Sequence, residues 1–181
     1  MTKSVFAAVA ALAVAIPTAT FPLLPRQFTI ASTVTIGIPA FVLALAPSTG
    51  PWRPERFLRS VASFAIPAGL AIGIGIAAGF LIARYGFDLG LTRSRTVATG
   101  IAVVCGLAVV MRLENQPGKR RLAVGALCAA MALLFLLALA IPLLRDFYEL
   151  TPPTAQAALA WGIGVTLGIG GMHALLRLLR I

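Results

Sequence analysis

Apolar residues run along this chain in long stretches separated by short polar links. The stretches cover residues 4–24, 28–46, 61–83, 96–113, 122–144 and 157–176. Each is close to the roughly 20 residues that a helix needs to cross a bilayer core. None alternates apolar with polar residues as a half-buried strand does. An unpaired strand edge in lipid would also leave backbone groups unsatisfied, whereas a helix satisfies them within itself. The pattern predicts an all-α, polytopic membrane helix bundle of about six transmembrane helices, forming a single membrane domain over residues 1–181.

Prolines and glycines punctuate the stretches. Pro17 and Pro22 interrupt the first, Pro25-Arg26-Gln27 forms a tight link, and Pro39 and Pro47 interrupt and stop the second. Pro67 lies inside the third, and Pro117-Gly118 and Pro152-Pro153 mark later turns. Glycines recur four residues apart at Gly69 and Gly73, Gly75 and Gly79, and Gly164 and Gly168. Such spacing lets helix backbones approach closely in a membrane. The string Gly73-Ile74-Gly75-Ile76-Ala77-Ala78-Gly79 superficially suggests a nucleotide loop, but no strand precedes it and it lies inside an apolar run, which excludes that use.

Composition agrees with a lipid solvent. Hydrophobic residues make up 60% of the chain and charged residues 11%, too few to clothe a soluble domain. The mean hydropathy is +0.99. The formal net charge of +10 would in a soluble protein raise the question of nucleic acid. Here the cations sit in short clusters between apolar runs and set orientation instead, so no nucleic-acid partner is expected. With the N-terminus in the cytoplasm, Lys3, Arg53, Arg56, Arg59, Arg112, Lys119, Arg120, Arg121, Arg177 and Arg180 fall on that side. Only Arg26, Arg84, Arg93, Arg95 and Arg145 fall on the other, and the positive-inside rule therefore places both termini in the cytoplasm of a multi-pass cell-membrane protein. The start, with Lys3 before an apolar stretch and small residues at Thr18–Thr20, has the look of a secretory signal, but the stretch is long enough to span.

Soluble chemistry finds little to work with. His173 is the sole histidine, near the end of the last run, and reads as an interfacial or packing residue. Cys105 and Cys128 lie in apolar runs with no partner at ligand spacing and read as small buried hydrophobes. The acidic residues Glu55, Asp88, Glu114, Asp146 and Glu149 all fall in loops or at helix ends, which avoids the roughly 2.5–3.5 kcal/mol of a mid-bilayer charge. No residue is assigned a catalytic or cofactor-binding role. The informative segment is Ser32-Thr33-Val34-Thr35-Ile36-Gly37-Ile38-Pro39-Ala40. Pro39 has no N–H and clashes with the preceding turn, so the Thr35 carbonyl loses its regular partner. Hydroxyls of Ser32, Thr33 and Thr35, with freed carbonyls, could face a cation, and Pro17 would free the Ala13 carbonyl similarly. The competing explanation is that proline kinks are routine in membrane helices and that the hydroxyls bond back to their own helix.

At this segment the chain resembles the bacterial P-type cation-transporting ATPases. Their sixth membrane helix carries Thr-Asp-Gly-x-Pro-Ala followed by a further proline, and here Thr35-Ile36-Gly37-Ile38-Pro39-Ala40 is followed by Pro47. Pro25 matches the link of the preceding hairpin. The resemblance is specific over about residues 1–60 and extends beyond as a layout of four more helices. It implies that the six runs are the family's fifth to tenth membrane helices. It also implies an ion pathway with Ser32 and Thr35 as ligands and Thr33, Pro39 and Pro17 as lining or helix-breaking residues. The family's motif aspartate is Ile36 here, and its upstream asparagine is Ser32.

The resemblance implies a cation substrate, with ATP and Mg bound by cytoplasmic domains that this chain lacks. It further implies a partner carrying the family's N-terminal half. The chain then looks like a fragment, a truncated product or a split subunit of an ATP-driven translocase. The alternative is a stand-alone multi-span protein acting as a regulatory or interaction partner, or as a small carrier.

Overall fold

A computed structural model of the chain describes residues 2–18, 20–45, 57–114 and 118–179, with backbone alone for residues 15–18 and 57–60. Pro47, Arg53, Glu55, Arg56, Pro117 and Arg180 lie outside the described residues, as do the side chains of Pro17 and Arg59.

Every described element is helical. Helix α1 spans Thr2–Thr18. Helix α2 spans Pro25–Leu45 and contains a π-helical turn at Thr33–Gly37. Helix α3, Phe57–Leu81, continues into a second π turn at Ile82–Gly86. Helices α4, Leu91–Leu113, and α5, Lys119–Ala140, follow. A single-turn α6, Pro142–Phe147, precedes α7, Ala155–Leu178. Five of these are long and apolar enough to cross a membrane, and α1 is a shorter apolar helix. The chain is thus an all-α, multi-pass membrane bundle with about six apolar helices.

Helix ends follow local chemistry. Proline at the first position of a helix is preorganised and forfeits only an orphan N–H, so α2 starts at Pro25 rather than after Gln27. Gln27 also accepts from the Leu24 N–H at 3.3 Å. The run expected over residues 122–144 is cut at Ile141, because the residue before a proline avoids helical torsions. Ile141 is extended (φ −82°, ψ 117°), and α6 begins at Pro142. Thr154 caps α7 by accepting from the Ala157 N–H at 3.3 Å.

Two glycine pairs on α3 serve two different seams. Cβ atoms added at Gly69 and Gly73 would each lie 2.6 Å from the Cβ of Val5 and Val9, so α1 rides directly on the α3 backbone. A Cβ at Gly75 would lie 2.6 Å from the Gly164 carbonyl oxygen and 2.9 Å from the Gly168 Cα on α7. Helix α4 fills the adjoining groove with Ile101 and Cys105, both fully buried. Lipid gives no hydrophobic drive to helix association, so this close van der Waals packing is what joins the helices.

The same contacts fix helix directions. On α3, Gly69 meets Thr2 and Val5, and Gly73 meets Phe6 and Val9, so α1 and α3 run parallel. Gly75 meets Gly164 and Gly168, while Gly79 meets Ala160, so α7 runs antiparallel to α3. Gln27 pairs with Thr99, and Thr35 meets Gly106, so α2 runs parallel to α4.

Candidate functional site

The site is built where α2 departs from a regular helix. The Pro39 nitrogen has no hydrogen to give the Thr35 carbonyl. Ile38 donates its N–H to the Thr33 oxygen, five residues back, instead of to Val34. The carbonyls of Val34 and Thr35 are therefore both without the partner that an α-helix would supply. Single π turns of this kind mark functional positions in many helices.

The hydroxyls on this segment all donate backward to their own helix. Ser32 Oγ donates to the Phe28 carbonyl, Thr33 Oγ1 to Thr29 at 2.9 Å, and Thr35 Oγ1 to Ala31 at 2.7 Å. A hydroxyl has one hydrogen and two lone pairs, so backward donation leaves its oxygen able to accept or to ligate. The structure separates the three. Thr35 is buried at 8% exposure, Ser32 is half-buried and Thr33 is exposed. Helix α1 continues through Pro17 to Thr18.

Thr35, Ile36 and Pro39 form one wall of a cavity of about 440 Å³. Lys3 and Phe6 of α1, Ile72 of α3 and Gly106 of α4 close it, with Glu114 and Arg120 at its far side. Gly106 admits Thr35, since a Cβ there would lie 2.7 Å from the threonine Cγ2 and 2.9 Å from its Cβ. The walls are mainly aliphatic, so the oxygens of α2 form the polar feature beside the π turn.

Three charged side chains, Lys3, Glu114 and Arg120, line the cavity, and none of them comes from α2. Residues 2–45 include Lys3 and Arg26 and no carboxylate. The Lys3 ammonium lies 4.5 Å from the centroid of the Phe28 ring. Glu114 Oε2 pairs with Arg120 Nε at 3.0 Å. Among the described residues no group of three or more His, Cys, Asp or Glu side chains could hold a metal ion. His173 is exposed, its Nδ1 2.8 Å from the Ile169 carbonyl, and it does not line the cavity. Cys105 and Cys128 are both free and buried.

Three curated relatives match this chain. The chain is 31% identical over 157 residues to the calcium-transporting ATPase CtpE of Mycolicibacterium smegmatis, covering 83% of this chain and 18% of that protein. It is 33% identical over 149 residues to the protein of that name from Mycobacterium bovis and 32% identical over 149 residues to that from Mycobacterium tuberculosis. In both cases 80% of this chain and 18% of the relative are covered. The chain is homologous to part of a P-type cation-transporting ATPase. It spans about 18% of the length of these relatives. No family model and no solved structure matches it.

Within this P-type segment the sequence pointed to α2, because Thr35, Gly37 and Pro39 sit together in an apolar run. It gave no sign of Gly106, Lys3 or the Glu114–Arg120 pair as cavity residues. Gly106 stands alone, outside the four-residue glycine pattern. Lys3 looked like an orientation signal, and Glu114 and Arg120 like a solvated turn.

Proposed function

We propose that this chain forms part of the membrane pathway of a P-type calcium-transporting ATPase, with the hydroxyl and carbonyl of Thr35 lining the route. The observation that carries this is the π turn at Thr33–Gly37. Its Thr35 and Ile36 line the cavity together with Pro39, in a chain homologous to calcium-transporting relatives. Calcium prefers oxygen ligands from carbonyls, carboxylates and water, and this segment supplies the neutral ones. The missing negative charge must come from elsewhere in the pump, since Ile36 stands where the family carries aspartate. A broken helix that turns backbone oxygens toward an ion is a general solution in transporters.

Energy for transport would come from ATP and Mg in the cytoplasmic domains of the pump, and the N-terminal half would be the partner. The cell membrane is the location, with both termini cytoplasmic by the distribution of Lys and Arg.

The test is a chimaera in which this chain replaces the matching stretch of the Mycolicibacterium smegmatis relative. Calcium-stimulated ATP turnover is measured. The chimaera should keep calcium-dependent turnover. Thr35→Ala should raise the calcium concentration for half-maximal rate about tenfold, the scale of one lost ligand interaction. Pro39→Ala should lower turnover by returning an N–H to the Thr35 carbonyl. Unchanged calcium dependence in both variants would remove α2 from the pathway.

A further inference from the structure

We infer that the cavity between α2 and α4 takes one acyl chain of an anionic phospholipid, with the lipid's phosphate on the basic residues where α4 ends and α5 begins. The inference goes beyond the pathway reading and does not depend on it.

The cavity has a charged end and an aliphatic body. Glu114, just past α4, and Arg120, in the first turn of α5, mark the charged end. Gly106 lies about two turns of α4 further in, or about 12 Å. Along that length Pro39, Ala40 and Leu43 of α2 line the cavity with Val109, Val110 and Leu113 of α4. Ile36, Ala40 and Leu113 are also exposed, so the cavity is open along its flank and an alkyl chain can enter from the side. A volume of about 440 Å³ with mainly aliphatic walls falls within the roughly 300–1,000 Å³ of small-ligand sites. Such walls offer water few partners, and hydrocarbon needs none.

The charged end is basic. Residues 112–121 carry Arg112, Lys119, Arg120 and Arg121 against one carboxylate, Glu114. Glu114 is only 9% exposed at its side chain and pairs with Arg120 Nε at 3.0 Å, so it is held away from an incoming phosphate. That pair uses one of the five N–H donors of the guanidinium. Arg112, Lys119 and Arg121 are exposed. Leu113 and Leu122 beside them are 62% and 76% exposed, so cations and apolar carbon share this end, as at the headgroup level of a bilayer. The Lys3 ammonium lies over the Phe28 ring and takes no part in this headgroup site. An alkyl chain ending in an anion meets both parts at once. A neutral phospholipid leaves the cations without counter-charge, and a free phosphate leaves the aliphatic body empty.

The experiment is native mass spectrometry of the full chain in neutral detergent, titrated with phosphatidylglycerol or phosphatidylcholine of identical acyl chains. Circular dichroism confirms equal helix content of the variants. Phosphatidylglycerol should bind at least about tenfold more tightly than phosphatidylcholine. The double variant Lys119→Gln, Arg121→Gln should cut that preference at least about fivefold. Val110→Trp fills the cavity and should weaken both lipids at least about tenfold. Leu43→Trp repeats the filling from the other wall should Val110→Trp fail to fold. Leu133→Trp, on the exposed face of α5, should change neither lipid. Glycerol phosphate, the headgroup without its chains, should not displace phosphatidylglycerol. Equal affinity for the two lipids overturns the inference, as does a preference unmoved in the double variant. So does phosphatidylglycerol binding untouched by a folded cavity-filling variant, or its displacement by glycerol phosphate at matching concentration.

Discussion

At the scale of single residues, the position that decides the site's geometry is Gly106. Its missing side chain is the space that the Thr35 methyl group fills, so one extra carbon must move Thr35 or the α4 backbone. Gly106→Ala should therefore cost about 1–3 kcal/mol, the range for overpacking a well-filled interior. It should also displace the π turn. Gly162 provides the control, because a Cβ there would meet nothing within 4 Å. Gly162→Ala should be neutral or slightly stabilising, since alanine is the better helix former. Thermal unfolding of both variants in detergent checks the contrast, and equal behaviour would mean that Thr35 is not held by Gly106. The two glycines look alike in sequence, each flanked by apolar residues, and this is why the closure of the site was not legible there. What could be read was local: a proline acting on the carbonyl four residues back. What could not be read was which distant backbone comes within van der Waals range.

Helix α2 as an element is tied down more firmly at its start than its short N-terminal link suggests. Gln27 is completely buried, accepts from the Leu24 N–H and from Thr99 Oγ1 at 3.4 Å, and donates to the Glu149 carbonyl at 3.0 Å. It joins α2 to α4 and to the turn after α6. Arg26 makes the neighbouring pair with Glu149 at 3.0 Å, but both side chains are about half exposed. Gln27→Leu would leave the part-buried Glu149 carbonyl and the Leu24 N–H without the Gln27 amide, while Thr99 keeps its bond to the Arg95 carbonyl at 2.8 Å, so the cost should be about 1–3 kcal/mol. Arg26→Ala should cost about 0–1 kcal/mol, as exposed ion pairs do. Unfolding of the two variants in detergent should rank them in that order, and the reverse ranking would show that the charge rather than the amide anchors α2. The sequence marked Pro25-Arg26-Gln27 as a link because polarity interrupts the apolar pattern. Polarity in a membrane chain identifies either a loop or a buried hydrogen-bonding group, and pattern alone does not separate the two. The apolar runs carry no such ambiguity, and for them helix type followed directly from length.

At the scale of the whole molecule, helix directions and charge combine into a statement about sidedness. Parallel α1 with α3, parallel α2 with α4, and α7 antiparallel to α3 describe an alternating bundle. Cys128 of α5 meets the Leu107 carbonyl and Arg120 meets Glu114, so α5 runs opposite to α4. The start of α1 and the end of α7 then point to the same side. At the opposite end, Arg26 bonds the Phe147 carbonyl and Arg95 bonds the Phe21 carbonyl. The end bearing Lys119, Arg120 and Arg121 is the more basic in sequence and should face the cytoplasm. Single cysteines introduced as Asp88→Cys, Asp146→Cys and Lys119→Cys test this with a membrane-impermeant maleimide on intact cells. The native thiols, Cys105 and Cys128, are buried within helices and should stay silent. Cysteines at 88 and 146 should react from outside, and the one at 119 only after the membrane is opened. The opposite pattern would invert the orientation while keeping the bundle. Labelling at 88 and 119 from the same side would break the alternation itself, because α4 would then fail to cross.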